Sequence, residues 1–305
     1  MRSISVIINP AAGGGRGQKV WQVLHPGLKA LSDKITYRMT NYTDDLVKLV
    51  RGLLADEPDY FIVIGGDGTL SHAVNGFIDN DRFLSKRTQF AYFNAGCGGD
   101  FARQFGSQHV TEFLNHLTHN QGVACNIGKI SYANNKTRYF INIASCGLSA
   151  QVIKYSSATS WLKKLGGGVN YFIHSLQGIL TYQSTPVTIQ FDEHPPFEGD
   201  MLLMAVCNGQ YFGGNMHVAP MANLNDGLLD VVIFHDFTKL QALWKLRKIY
   251  SGRHLLEKKV KFVQAKTVSI EGQLEQPLFI EADGELVGQL PATFSLLPQT
   301  LSVVV

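Results

Sequence analysis

Phe61-Ile62-Val63-Ile64-Gly65-Gly66-Asp67-Gly68-Thr69-Leu70 is the stretch that decides how the chain is read. Four consecutive apolar residues, mostly β-branched or aromatic, predict a short strand buried on both faces. Three glycines then surround an aspartate, and from Thr69 to Phe77 the pattern becomes helical. The glycines therefore sit on a strand-to-helix turn, which aims free backbone N–H groups and the positive helix end at a ligand. Glycine lets an anion approach that backbone closely. A phosphate suits such a turn, yet Asp67 repels one directly. The aspartate fits if it holds a Mg²⁺ that itself holds phosphates, or if it orients a hydroxyl about to be phosphorylated. A tight turn with Thr69 as helix N-cap is the plainer alternative, and this motif by itself does not separate the two.

The rest of the chain bounds these readings. It has 305 residues, 45% hydrophobic and 17% charged, which is enough for two globular domains. A net charge of +3 permits a nucleotide or an anionic surface as partner without requiring either. Cys97, Cys125, Cys146 and Cys207 are far apart, which points to a reducing compartment and no disulfide frame. No H-E-x-x-H occurs, and no apolar run reaches the ~18 residues of a membrane span. A cytoplasmic location is expected.

Strands are predicted at Ile4–Ile8, Ile35–Met39, Phe61–Ile64 and Gln89–Phe93. Helical patterns separate them, at Gln18–Leu31, Asp44–Leu54 and Thr69–Phe77. Strands alternating with helices give a Rossmann-like parallel α/β domain over residues 1–125. Ligands in such sheets bind beyond the carboxyl ends of the strands. Three glycine-rich loops fall there: Ala11–Gly17, Gly65–Gly68 and Gly96–Gly99. From about 126 to 298 short strand-like runs dominate, at Lys129–Tyr132, Arg138–Ile143, Val187–Phe191, Met201–Cys207, Leu228–Phe234, Thr267–Ile270, Leu278–Glu281 and Ala292–Leu297. They predict an antiparallel β-sandwich with helical inserts at Trp161–Tyr182 and Thr238–Ser251. Residues 299–305 are free to return to the first domain.

Two acidic turns stand out in the second half, Asn223 to Asp230 and Glu281 to Glu285. An Asp-Gly beside a strand is first of all a hairpin signal. In the second turn, however, three carboxylates within five residues repel one another unless solvent or a cation compensates. Such a cluster can supply a general base or a metal ligand.

With these motifs in order, the chain resembles the diacylglycerol kinase catalytic family, which includes sphingosine and ceramide kinases and the soluble bacterial lipid kinases. The resemblance rests on Asn9-Pro10 with its glycine run, Gly65 to Thr69, Gly96 to Arg103, Asp226 to Val231, and Asp283-Gly284-Glu285. Phe140-Ile141-Asn142, Asn208, Gly213-Gly214 and Ala219-Pro220 extend it over nearly the whole chain. It implies ATP with Mg²⁺ in a cleft between the domains and transfer of the γ-phosphoryl group to a lipid hydroxyl. By position, Asn9, Thr40, Gly65, Gly66, Asp67, Gly68, Thr69, Ser71 and Cys97 would meet ATP, and Asp100 the lipid head group. Glu285 would accept the proton, with Asp283 and Asp67 as its catalytic companions. Asn223, Asp226 and Leu228 would form a structural Mg²⁺ loop, Asn223 and Leu228 through their carbonyls. The implied partner is a lipid at a membrane surface, with no nucleic acid; peripheral membrane association and a homo-oligomer both stay open.

The chain also departs from the family. Gly96-Cys97-Gly98-Gly99-Asp100 stands where G-T-x-N-D is usual, and Leu70-Ser71-His72 where L-N-E is usual. A hydroxyl, an amide and a carboxylate are missing, so restoring the usual loop with Cys97→Thr and Gly99→Asn is expected to tighten ATP binding. Thr238–Arg253 reads as an amphipathic helix packed on the β domain, with Ala242, Leu243, Leu246, Ile249 and Tyr250 as its apolar stripe and a solvated basic face. A membrane-surface helix is the alternative, and Trp161–Leu165 is a second candidate. The rivals to a lipid kinase are a non-catalytic lipid-binding homologue, supported by the altered loops, and an NAD kinase-like enzyme, which shares G-G-D-G-T.

Overall fold

The computed structural model describes residues 2–41, 45–158, 167–271 and 277–305. The chain divides into two compact units, Met1–Cys125 with Gln299–Val305, and Asn126–Pro298. In the first, Phe61, Ile62, Val63 and Ile64 are fully buried at the centre of a six-stranded sheet. Its order is Lys34–Met39, Ser3–Ile8, Tyr60–Gly65, Gln89–Asn94, Leu301–Val304, Val123–Cys125. The first five run parallel, and Val123–Cys125 pairs antiparallel to Leu301–Val304.

Alternation along the strand sets the layers. Ile62 and Ile64 pack with Trp21, Leu24 and Leu28 of the helix Ala12–Leu31 and with Phe113 and Leu117 of the helix Val110–His119. Phe61 turns the other way, into a cluster with Phe77 and Phe90, with ring centroids 5.3 Å and 6.4 Å from its own. Each such side chain contributes roughly 1.5–3 kcal/mol over leaving it exposed. The helix expected from Asp44 is described from Leu46 to Leu54, with Asp45 as N-cap accepting from the Lys48 amide at 3.2 Å; Asp44 lies outside the described residues.

The second unit is antiparallel throughout. The long strand Phe197–Cys207 organises it, pairing with Thr185–Phe191 at one end, Ile143–Gly147 at the other, and Leu229–His235 along its far edge. The register slips between Met201 and Leu203, which lets one strand serve two layers. Phe140, Ile189, Val206, Val231, Ile280 and Phe294 are among the residues buried between them. Among the strands that escaped the sequence pattern are Val260–Ala265, Glu285–Gln289 and the short pair Tyr211–Phe212 and Met216–His217. The run Arg138–Ile143, read as one strand, is two: Thr137–Phe140 and Ile143–Gly147. Helices cover residues Leu148–Ala158 and Gly167–Thr181, and the candidate Trp161–Leu165 lies outside the described residues. The predicted helix from Thr238 is the helix Lys239–Lys245, capped by Thr238, followed by 3₁₀ turns at Leu246–Ser251. No helix among the described residues is long and apolar enough to cross a membrane.

Candidate active site

In the first unit, three loops leave neighbouring strand ends and are fastened by backbone bonds. The Asn9 amide donates to the Ile64 carbonyl at 2.8 Å, the Thr40 amide to Ile8 at 2.8 Å, and the Ala95 amide to Gly65 at 2.7 Å. Gly66 and Gly96 meet backbone to backbone: a Cβ on Gly96 would lie 2.5 Å from the Gly66 Cα. Asn9 donates its carboxamide N–H to Thr69 Oγ1 at 3.2 Å. Asn9, Thr40, Gly65, Gly66, Gly68, Thr69 and the exposed Cys97 thus lie at or just beyond the carboxyl ends of neighbouring strands of one sheet. Thr69 is not the N-cap; the helix Asp67–Phe77 starts two residues earlier from Gly66. Ser71 is fully buried on that helix.

Asp67 is half-buried at the helix start. The Gly99 amide donates to its Oδ2 at 2.8 Å and the Phe101 amide to its Oδ1 at 3.4 Å. Burial, and then the charge of the buried Asp100, push the Asp67 carboxyl above the usual range, against the pull of those two N–H groups. Two acids held this close favour a cation or a proton beside them.

The altered second loop is refitted around Asn94. Asn94 Oδ1 accepts from the Gly96 amide at 2.9 Å and from the Tyr92 hydroxyl at 3.3 Å. Gly99 has φ +64°, and a Cβ there would lie 2.2 Å from Asn94 Nδ2. An asparagine at 99 would therefore require Asn94 to move. Arg16 secures the same loop, donating to the carbonyls of Asn94 at 3.2 Å and Gly96 at 2.8 Å.

In the second unit, Asp283 sits in a left-handed turn at φ +50°. Its carboxylate accepts from the amides of Ile141 at 3.1 Å, Asn142 at 3.0 Å and Ile143 at 3.2 Å. Those amides are thereby taken from the strand ladder, which is why the predicted strand breaks. Burial pushes Asp283 up to about 6 despite the three donors. Glu285, at the start of its strand, is half-buried, and Arg138 donates to its Oε2 at 3.0 Å. Glu281 is buried; its Oε2 accepts from the Gly284 amide at 3.1 Å, and the Ser145 hydroxyl donates to its Oε1. Arg138 was not identified from the sequence as a site residue.

Asn223, Asp226 and Leu228 share one loop, braced from within. Asn223 accepts from the Asn225 amide at 3.1 Å, and Asp226 from the Leu228 amide at 3.0 Å. The Gly227 amide donates to Asn126 Oδ1 at 3.0 Å. Asn208, buried, donates to the carbonyls of Asn126 at 2.8 Å and Ile141 at 2.6 Å. Two asparagines in series, Asn126 and Asn208, therefore tie this loop to the segment that holds Asp283. Nearby, Asp230 Oδ2 is buried without a hydrogen-bond partner, and burial followed by the Asp226 charge raises its carboxyl to about 6. An uncompensated oxygen beside a second carboxylate suits a cation, although no three acidic, histidine or cysteine side chains converge on one point among the described residues.

The same unit contains an apolar cavity of about 60 Å³, lined by Leu148, Val152, Ile179, Phe212, Phe234 and Leu246 among others. Ala242 and Leu246 of the predicted stripe are buried beneath it, with Ile249 and Tyr250 packed against them, while Leu243 is partly exposed. Lys245 and Lys248, from the predicted basic face, both pair with Glu257.

Two family patterns match the chain, the diacylglycerol kinase catalytic domain over residues 3–130 and the YegS C-terminal NAD kinase beta sandwich-like domain over residues 142–305. A diacylglycerol kinase of Staphylococcus carnosus is 28% identical over 305 residues, 98% of this chain and 93% of the relative. One of Bacillus subtilis is 27% identical over 307 residues, 100% of this chain and 96% of the relative. The crystal structure of a diacylglycerol kinase from Bacillus anthracis has the same fold, with a TM-score of 0.73 at 22% identity, covering 99% of this chain and 96% of that one. With both of its domains matched in order, the chain belongs to the diacylglycerol kinase catalytic family, a phosphotransferase family of lipid kinases.

Proposed function

We propose that this protein transfers the γ-phosphoryl group of ATP, with Mg²⁺, to the hydroxyl of a diacylglycerol-like or sphingoid lipid. The observation that carries the reading is the pairing of Asp67 with Asp100 on adjoining glycine loops, where burial raises the Asp67 carboxyl. A bound Mg²⁺ would neutralise phosphate charge there. Asn9, Thr40, the turn from Gly65 to Thr69 and Cys97 are assigned to ATP, and Asp100 to the lipid head group. Asp67 orients the transferred group and would share in holding the cation.

Glu285 accepts the proton. The lipid oxygen bonds to the γ-phosphorus, the bond to the ADP oxygen breaks, and the hydroxyl proton goes to the Glu285 carboxylate. Arg138 fixes that carboxylate, while Asp283, committed to three backbone amides, shapes the turn. Asn223, Asp226 and Leu228 are assigned to a structural Mg²⁺ apart from the reaction. The apolar cavity is assigned to the lipid tail. Leu180, Leu240 and Trp244 are 59%, 67% and 72% exposed, and they are assigned to peripheral contact with the cytoplasmic membrane surface.

A panel of lipids in mixed micelles, incubated with γ-labelled ATP with and without EDTA, tests this. Label should enter a hydroxyl-bearing lipid and disappear with EDTA. Label that stays in ATP for every lipid, or that enters NAD instead, contradicts the proposal.

A further inference from the structure

The second glycine loop of the first unit is bonded to groups of opposite charge. Toward Asp67 its backbone donates: the amides of Gly99 and Phe101 go to the carboxylate. Toward two arginines its backbone accepts. Arg16 Nη2 donates to the carbonyls of Asn94 and Gly96, and Arg103 Nη2 to that of Gly98 at 3.3 Å. The two sides belong to different layers. Arg16 is on the helix Ala12–Leu31, which packs with Phe93 on one face of the sheet. Asp67 starts the helix whose Phe77 packs with Phe61 and Phe90 on the other.

On the arginine side lies a cavity of about 570 Å³, lined by Arg16 and Arg103 with Val20, Phe93, Ser107 and Gln108 among others. That volume is ordinary for a small-ligand site. No acidic residue lines it, and neither arginine forms an ion pair among the described residues. Gln108 is fully used by the wall: its Oε1 accepts from the Asn94 amide at 2.8 Å, and its Nε2 donates to the Tyr92 carbonyl at 2.9 Å. A neutral carboxamide thus braces this segment without charge, so bracing does not explain two guanidinium groups. Each arginine commits only Nη2 to the loop and keeps its Nη1 and Nε hydrogens.

We infer that this cavity binds a phosphate dianion between Arg16 and Arg103. Two uncompensated cations on one concave wall concentrate positive potential there. A guanidinium fork matches the oxygens of a carboxylate or a phosphate. Two forks together call for more oxygens than a carboxylate has, and a phosphate supplies them. None of the residues assigned to ATP lines the cavity. It would therefore take its anion in addition to a nucleotide, and whether or not the protein is a kinase. Free phosphate and the head group of a phosphomonoester lipid carry the same chemistry.

Calorimetry on the full-length protein at fixed ionic strength tests this with inorganic phosphate, methyl phosphate and dihexanoyl phosphatidic acid. Wild type is compared with Arg103→Gln, which keeps a donor for the Gly98 carbonyl, and with Ser107→Glu, which sets a carboxylate at the exposed rim of the cavity. Wild type should bind a phosphate ligand, and each variant should weaken that binding at least about tenfold. Ser107→Glu touches no bond of the loop and carries the test if Arg103→Gln does not fold. Equal affinities for the three ligands identify free phosphate as the occupant, and tighter phosphatidic acid identifies a lipid head group. Binding should persist with Mg²⁺ and a non-hydrolysable ATP analogue at saturation. No binding of any of the three ligands, an affinity unchanged in either folded variant, or binding abolished by the analogue overturns the inference. Phosphate binding in a protein that ignores the analogue contradicts the kinase proposal alone.

Discussion

The carboxamide of Asn94 occupies the space that a side chain on Gly99 would need, with its Nδ2 only 2.2 Å from the position of a Gly99 Cβ. The loop that departs from the family pattern is therefore packed closely on Asn94. Asn94 also accepts the Gly96 amide, so it shapes the loop at both glycines. Gly99→Asn alone should displace Asn94 and destabilise the protein by about 1–3 kcal/mol. Asn94→Ala combined with Gly99→Asn should recover much of that loss, because the two side chains compete for one space. Thermal melts of the two single variants and the double variant decide it; additive losses would show that the residues do not interact.

Asp67→Asn should abolish turnover with little change in melting temperature. Neutralising it relieves the repulsion from Asp100, which offsets the weakened acceptance from Gly99 and Phe101. A variant that melts much earlier yet keeps its specific activity would reduce Asp67 to a turn residue.

These two positions show what a sequence exposes and what it hides. Phe61 to Leu70 was legible because strand, turn and helix are consecutive, so local pattern and global position agree. Asp283 and Glu285 were legible as an acidic turn beside a strand. Arg138 was not, since its partner Glu285 is 147 residues away and nothing local marks the pairing. The break at Ile141–Asn142 was hidden for a similar reason: the residues suit a strand, but their amides go to Asp283, across some 140 positions. Asn94 and Gly99 lie five residues apart, and only the left-handed backbone at Gly99 reveals that one fills the other's space. Val260–Ala265 alternates too weakly to stand out, and its pairing with Leu229–His235 secures it.

Mg²⁺ without nucleotide should raise the melting temperature, because a cation that binds only the folded state stabilises it by mass action. Asp226→Ala should lose that increment, since Asp226 and the unpartnered Asp230 oxygen share the charge to be neutralised. An equal rise in both proteins would place the cation elsewhere.

Stability should depend on pH through Asp283. Its folded pKa of about 6 exceeds the ordinary 3.8, so the folded state holds the proton more tightly than the unfolded chain does. The stabilisation from that proton is complete below about pH 4 and is lost as pH rises through about 6. Denaturant titrations at pH 4.5 and 7 should therefore show a smaller loss on going to pH 7 in Asp283→Asn than in wild type. Identical losses would mean that Asp283 titrates normally.

The claim that phosphoryl transfer to lipid uses Glu285 as proton acceptor is tested most directly by initial rates with γ-labelled ATP and an accepted lipid. Wild type, Glu285→Gln and Asp283→Asn are compared. Glu285→Gln keeps the shape and removes the basicity, so kcat should fall by roughly 10²–10⁴ with the KM for ATP largely kept. Asp283→Asn should lower kcat less and stability more, because its carboxylate is committed to the amides of Ile141, Asn142 and Ile143. A Glu285→Gln enzyme that retains most of its kcat, beside an inactive but folded Asp283→Asn, would contradict the account and reverse the two roles.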